Sequence, residues 1–195
     1  MIPLFKVYMS KKASKAATKV INSGFIGQGP VTEEFEEKLK CRFNTEYLIT
    51  TNSATSSEHL AIRLLKNPST NLKNYNGVAF WNSKWPGIQE GDEVLCTALT
   101  CTATNFPVLA NGLKIKWVDV DPNNLNMDLD DLRRKISPKT KIIYPVHWGG
   151  YPIDLDKLKL IQEESEKLYG FKPAIIEDCA HAFGSKYKNK LIGTH

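Results

Sequence analysis

The chain has 195 residues, 42% of them hydrophobic and 24% charged, with a formal net charge of +5. This is ordinary globular composition for one domain or one and a fraction, and it excludes a disordered chain, a collagen-like repeat and a small disulfide scaffold. No apolar run approaches the ~20 residues of a membrane-spanning helix, and the start, MIPLFKVYMSKK, lacks the charged lead and long apolar stretch of a secretory signal, so the expected compartment is the cytoplasm.

Cys41, Cys96, Cys101 and Cys179 form no Cys-x-x-Cys pair, and His59, His147, His181 and His195 are scattered. Zinc is not expected from such spacing, and in a reducing compartment the thiols are expected to stay free. Lys11, Lys15 and Lys19 recur at helical spacing, which reads as a solvated helix face or, more sharply, as attraction for an anionic substrate. No basic stripe interleaved with aromatics points to nucleic acid.

In chain order, residues 10–22 read as a helix and GFIGQGP (24–30) as a turn-rich link. Residues 31–43 read as a second helix, with Val31, Phe35, Leu39 and Phe43 on one stripe. Its acids precede its bases, which suits the helix dipole, and Glu34–Lys38 and Glu36–Lys40 are expected pairs. Strand and helix then alternate. Tyr47–Thr50 is expected as a strand, Ser56–Lys66 as a helix, Val94–Thr97 as a strand and Thr102–Ala110 as a helix. Lys114–Val118 follows as a strand, then a helix over Asp128–Lys135 and the apolar strand Lys141–Val146. Asp154 is expected to cap a helix through Leu168, before strand Ala174–Ile176 and a hairpin or edge at Ser185–Leu191. Continuously apolar strands alternating with helices predict a mostly parallel sheet covered on both faces. The Asn67–Glu90 segment, rich in Asn, Gly, Ser and Pro, reads as an insertion with Trp81 and Trp85 tucked onto the body, or as a partner-contact loop.

Ligands of open α/β sheets bind beyond the carboxyl ends of the strands. There, Thr51–Ser57 offers small hydroxyl residues at a helix N-terminus, either an anion cup or an ordinary cap. Thr97–Asn105 is again hydroxyl-rich. His147 opens the run His147-Trp148-Gly149-Gly150 and is more readily structural than catalytic. Most informative is Ile175-Ile176-Glu177-Asp178-Cys179-Ala180-His181, because acids ending an apolar strand are costly unless paired. Asp178 and His181 can face one crevice if a helical turn follows. They could ligate a metal, for which further ligands are missing nearby, or a carboxylate could hold a protonated heterocycle nitrogen and make the ring an electron sink.

Ser53-Ala54-Thr55, Gly91-Asp92-Glu93-Val94, Thr100-Cys101-Thr102-Ala103-Thr104, Val118-Asp119-Val120-Asp121, Thr140-Lys141, Pro145-Val146-His147 and Glu177-Asp178-Cys179-Ala180-His181-Ala182-Phe183-Gly184 occur in the order of one family. From about Gly24 onward, apart from residues 67–90, the sequence resembles the DegT/DnrJ/EryC1/StrS family of nucleotide-sugar aminotransferases, which depend on pyridoxal 5'-phosphate (PLP). The resemblance implies the three-layer fold type I of aspartate aminotransferase and a homodimer. It implies an amino group moved from an amino acid, glutamate by expectation, to a keto group on a nucleotide-activated sugar. Thr55 and Ser56 then correspond to the phosphate cup, Asp178 to the partner of the pyridine nitrogen, and His181 to the residue beside the phenolic oxygen. Cys101 takes the position where many members stack an aromatic ring.

The expected organisation is an N-terminal helix and substrate-side segment over residues 1–30 and an incomplete PLP-binding large domain over 31–195, without the small C-terminal domain. The family's Schiff-base lysine is expected after Gly193, beyond His195; Lys186, Lys188 and Lys190 do not match it. On this reading the isolated chain is inactive, and it is a fragment or a truncated product. Two alternatives stand beside it: a sugar dehydratase of the same family, with histidine in place of that lysine, and a non-catalytic remnant or dimerisation module.

Overall fold

The strands alternate side chains between two hydrophobic clusters, and that alternation sets the architecture. The structure, a computed structural model, describes residues 7–67 and 85–195. Residues up to Thr50 and from Thr51 onward form two units.

In the second unit, β1 (Glu93–Thr97), β2 (Lys114–Val118), β3 (Thr140–Tyr144) and β4 (Ala174–Ile175) form one sheet in the order β2-β1-β3-β4. Every neighbouring pair is parallel. Val94 and Cys96 of β1, with Ile142 and Tyr144 of β3, pack on Ile62 and Leu65 of α3 (Ala54–Leu64 and its C-cap) and on Val108 of α4 (Thr102–Ala110). The intervening Leu95 and Ile143 pack on Leu129 and Leu132 of α5 (Leu129–Lys135) and on Leu158 and Ile161 of α6 (Leu155–Tyr169). Period-two side chains feeding two apolar layers give helix, sheet and helix, three layers in all.

The helix ends follow local chemistry. Asp128 accepts from Asp130 N and Asp131 N, and Asp154 from Asp156 N and Lys157 N, so each caps its helix as the sequence predicts. Gly170 ends α6 with φ 84°, a left-handed conformation that suits glycine. The hairpin expected at Ser185–Leu191 is the antiparallel pair β5 (Lys186–Tyr187) and β6 (Lys190–Leu191). Trp85 is buried and its indole donates to the Leu65 carbonyl at 3.0 Å, as a tucked tryptophan should. Trp81 lies outside the described residues.

The first unit contains α1 (Ala13–Asn22) and α2 (Pro30–Phe43), and neither helix has a buried residue. The periodicity of α2 predicts its helix, but Val31 and Phe35 of the apolar stripe are exposed. Glu34 pairs with Lys38 at 2.6 Å as expected, whereas Lys40 pairs with Glu37 and not Glu36. Glu36 is turned to Thr50, accepting from its N–H and hydroxyl, each at 2.7 Å. Two donors fixed on one carboxylate outcompete a flexible lysine on the helix surface. Tyr47–Thr50, expected as a strand, joins no sheet among the described residues; a strand requires a ladder partner, which local sequence does not supply.

Candidate active site

Parallel strands bring their carboxyl ends to one edge of the sheet, so the segments after β1, β3 and β4 meet there. Alternation continues past β4. Ala174 and Ile176 belong to the α3/α4 layer and Ile175 to the α5/α6 layer. Glu177 and Asp178 therefore leave the strand toward opposite faces.

Asp178 turns toward the α3/α4 side and is buried, 8% exposed. Its Oδ2 accepts from the Thr104 hydroxyl at 2.7 Å and its Oδ1 from the Ala180 N–H at 3.0 Å. Thr104 is in turn 2.7 Å from the Thr100 hydroxyl. The strand end is fixed by bridging to Val146, with Asp178 N donating to Pro145 O and His147 N to Asp178 O.

Beside Asp178 lies Glu58 of α3, 7% exposed. Burial first, then the charge of Asp178, pushes its carboxyl up to about 7, and the neighbouring Tyr144 hydroxyl offsets part of the rise. Burial likewise raises Tyr144, with Glu58 adding to it. Glu58 thus brings α3 against Asp178. Thr55 is three residues before Glu58 on the same helix, about 4.5 Å nearer the N-terminus along its axis. The cap there is built from hydroxyls. Ser53 Oγ accepts from Ser56 N at 3.2 Å and donates to Ser56 Oγ at 3.1 Å, and Thr51 Oγ1 lies 2.6 Å from Ser57 Oγ. The first N–H groups of a helix have no acceptor within it and favour an anion.

Cys101 is the N-cap of α4 and is exposed. It precedes Thr104 by three residues, and its backbone is extended, outside the helix. His181 is exposed at the turn after β4. Its Nδ1 accepts from Gly149 N at 3.2 Å, and its ring meets Trp148 edge-on with centroids 5.4 Å apart. The approach is tight: a Cβ on Gly150, at φ +81°, would lie 2.8 Å from the His181 carbonyl, so only glycine fits.

On the other face, Glu177 Oε2 is 2.8 Å from His147 Nε2. His147 is fully buried, and its Nδ1 accepts from Ile153 N at 3.2 Å. That acceptor role leaves the ring proton on Nε2, where it is donated to Glu177. His147 is thus a structural clamp. Ligand atoms of His147, Glu177 and Cys179 lie within 4.8 Å of one another. However, both ring nitrogens are committed, and burial pushes the Cys179 thiol up to about 12, which disfavours the thiolate a metal needs.

The structure therefore joins Asp178 to Thr104 and, through Glu58, to α3, whose first turn contains Thr55 and Ser56. His181 is held instead by the turn after β3. Sequence reasoning passed over Glu58, although an acid in register with the buried Ile62 and Leu65 was the available signal. Thr104 stands in a family motif without a role of its own, and Tyr144 lies unremarked in the strand predicted over Lys141–Val146.

The helix-flanked parallel sheet is an α/β architecture, and the solved structures it matches give it the fold of PLP-dependent sugar aminotransferases. The family model described as the DegT/DnrJ/EryC1/StrS aminotransferase family matches residues 7–72 and 78–195, and the chain belongs to that family. It is 31% identical over 192 residues to the UDP-4-amino-4-deoxy-L-arabinose–oxoglutarate aminotransferase of Shewanella sediminis, covering 98% of this chain and 42% of that protein. Among solved structures, AtS13 from Actinomadura melliaura superposes with TM-score 0.86 at 47% identity, over 100% of this chain and 47% of that one. The sugar aminotransferase CalS13 from Micromonospora echinospora gives 0.84 at 40%, over 99% and 47%. GDP-4-keto-6-deoxymannose-3-dehydratase, with a trapped PLP-glutamate geminal diamine, gives 0.79 at 25%, over 98% and 44%. The chain thus spans less than half the length of these relatives. No described helix is long and apolar enough to cross a membrane.

Proposed function

We propose that these 195 residues carry the cofactor-holding part of a PLP-dependent sugar aminotransferase, which moves an amino group from glutamate to a keto group of a nucleotide-activated sugar. The observation that carries this reading is the buried Asp178 carboxylate, held by Thr104 and Ala180 at the sheet edge, with Glu58 of α3 acting on it. These residues fit the cofactor. Thr55, Ser56 and the free N–H groups of α3 suit its phosphate. Asp178, fixed by Thr104 and Ala180, suits the protonated ring nitrogen. Cys101 offers a soft, small surface to the ring face, and His181 is assigned to the phenolic oxygen. When bound, the ring supplies an electron sink for bonds broken at the amino-bearing carbon. Asp178 holds the proton on the ring nitrogen, since a facing carboxylate favours the charged form.

None of Lys186, Lys188 and Lys190 is the lysine that bonds the cofactor. They belong to the β5–β6 hairpin, and Lys188 is paired with Asp156. The 195 residues alone are therefore expected to hold the cofactor without transamination. Exposed Leu60 and Leu64 of α3 and Phe106 and Leu109 of α4 support the homodimer that the family implies.

The test is titration of the chain with PLP, followed by borohydride reduction and peptide mapping. Saturable binding that Asp178→Ala removes, without a specific adduct on Lys186, Lys188 or Lys190, is expected. Turnover of glutamate and a keto sugar by these residues alone would overturn the division of labour. A second reading, a PLP-dependent sugar dehydratase, is compatible with the 25% identity to one, below the 40% to the sugar aminotransferase CalS13. Histidine in place of the cofactor-bonding lysine of the complete polypeptide would select it.

A further inference from the structure

Glu58 is an acid on the buried face of α3, in register with Ile62 and Leu65 of the core. Its Oε2 is buried and completes no hydrogen bond. A buried, unpaired carboxylate is costly, and two carboxylates sharing a site are not both charged. The groups acting on Glu58 come from each element packed there: Asp178 after β4 and Tyr144 at the end of β3, with the Cys96 thiol of β1 acting on Tyr144. From α4 the neighbour of Asp178 is the uncharged Thr104. On its own helix, His59 is engaged with the Asn111 side chain at 3.2 Å. Among the described residues no cation compensates Glu58. The arrangement is resolved if Glu58 keeps its proton and gives the hydrogen bond to Asp178.

We propose that Glu58 is a positioning residue for the cofactor: as the neutral acid it donates to the Asp178 carboxylate and, with Thr104 and the Ala180 N–H, aims that charge at the ring nitrogen. The inference rests on the reading of Asp178 given above. It adds a third donor, on α3, to the two that hold Asp178 from α4 and from its own turn. The same helix begins with the phosphate-binding turn, so one rigid element sets both ends of the cofactor site.

Two measurements on the chain test it. The first is carboxyl-carbon NMR without cofactor. The Glu58 resonance is expected to titrate near 7, and the Asp178 resonance to show an inflection at the same pH. That inflection should be absent in Glu58→Gln, and Asp178→Asn should return the Glu58 midpoint toward the ordinary carboxyl range. An Asp178 resonance blind to Glu58 would overturn the proposal. The second is PLP affinity at pH 6.5. Glu58→Gln keeps a donor and should bind within about 3-fold of the parent, whereas the similarly sized Glu58→Leu should bind about 10-fold more weakly. Equal affinities for the two variants would mean that Glu58 only fills space, and would also overturn it. If Asp178→Ala binds the cofactor like the parent while the two carboxyls remain coupled by NMR, the cofactor reading fails and the contact stands.

Discussion

Glu177 and Asp178 are adjacent acids at the end of one strand, yet they occupy two different worlds. Glu177 faces the α5/α6 side and is closed off by a buried histidine whose second nitrogen is also engaged. Asp178 faces the α3/α4 side, held by a hydroxyl and a backbone N–H, with a second acid next to it. The first arrangement spends the charge on holding the β3 and β4 ends together. The second fixes a carboxyl group at the sheet edge, which the proposed function gives to the cofactor. One residue of offset decides which, because successive strand residues point to opposite faces.

The comparison breaks most decisively at Asp178. On the proposed function, Asp178→Ala is expected to lower transamination by the complete polypeptide by about a thousandfold, through loss of a preorganised counter-charge. Thermal unfolding should show the variant still folded; near-parental rates would place Asp178 outside the mechanism. His147→Ala should do the reverse. Losing a buried, doubly bonded ring and opening a cavity should destabilise by about 3 kcal/mol, or roughly 6–12 °C in Tm. PLP affinity of the folded fraction should stay within about 3-fold, and a larger loss would show that the two sides are not separable.

Glu58 sharpens the contrast through pH. Its folded pKa, about 7, lies above the ordinary value of 4.5, so the native state holds a proton that the unfolded chain releases first. Its contribution to stability is therefore undiminished below about 4.5 and declines as pH rises to about 7, by up to about 3 kcal/mol, then levels off. Denaturant unfolding across that window should show the slope in the parent and a flatter profile in Glu58→Gln; equal slopes would contradict it. The smallest effects are expected from hydroxyl removal. Thr104→Val should cost about 1 kcal/mol of cofactor affinity, and Thr55→Ala about the same or less because backbone donors remain. Isothermal titration distinguishes these from the Asp178 effect, and an equal loss at Thr55 would shift the weight of binding to the phosphate end.

Much of this was readable from residue order. The caps Asp128 and Asp154, the helix Thr102–Ala110 and the strand Lys114–Val118 are local decisions made by side-chain oxygens and by periodicity, and the structure has them where the sequence predicts. The acids at the end of β4 announced a site because an apolar strand does not end in charge without a reason. Three features resisted such reading. Glu36 leaves its expected lysine for Thr50, fourteen residues away. Tyr47–Thr50 has strand-forming residues but no ladder among the described residues. Glu58 looks like any helix glutamate until α3 is packed on the sheet.

The sequence by itself determined most of the elements and their alternation, since caps, turns and hydrophobic period act over a few residues, and its ordered motifs carried the likeness to the family. Only the tertiary structure decided which of two neighbouring carboxylates is clamped by a buried histidine and which is not. It also set a second acid against Asp178. Burial and the meeting of charges depend on which faces pack together, and no short stretch of chain specifies that.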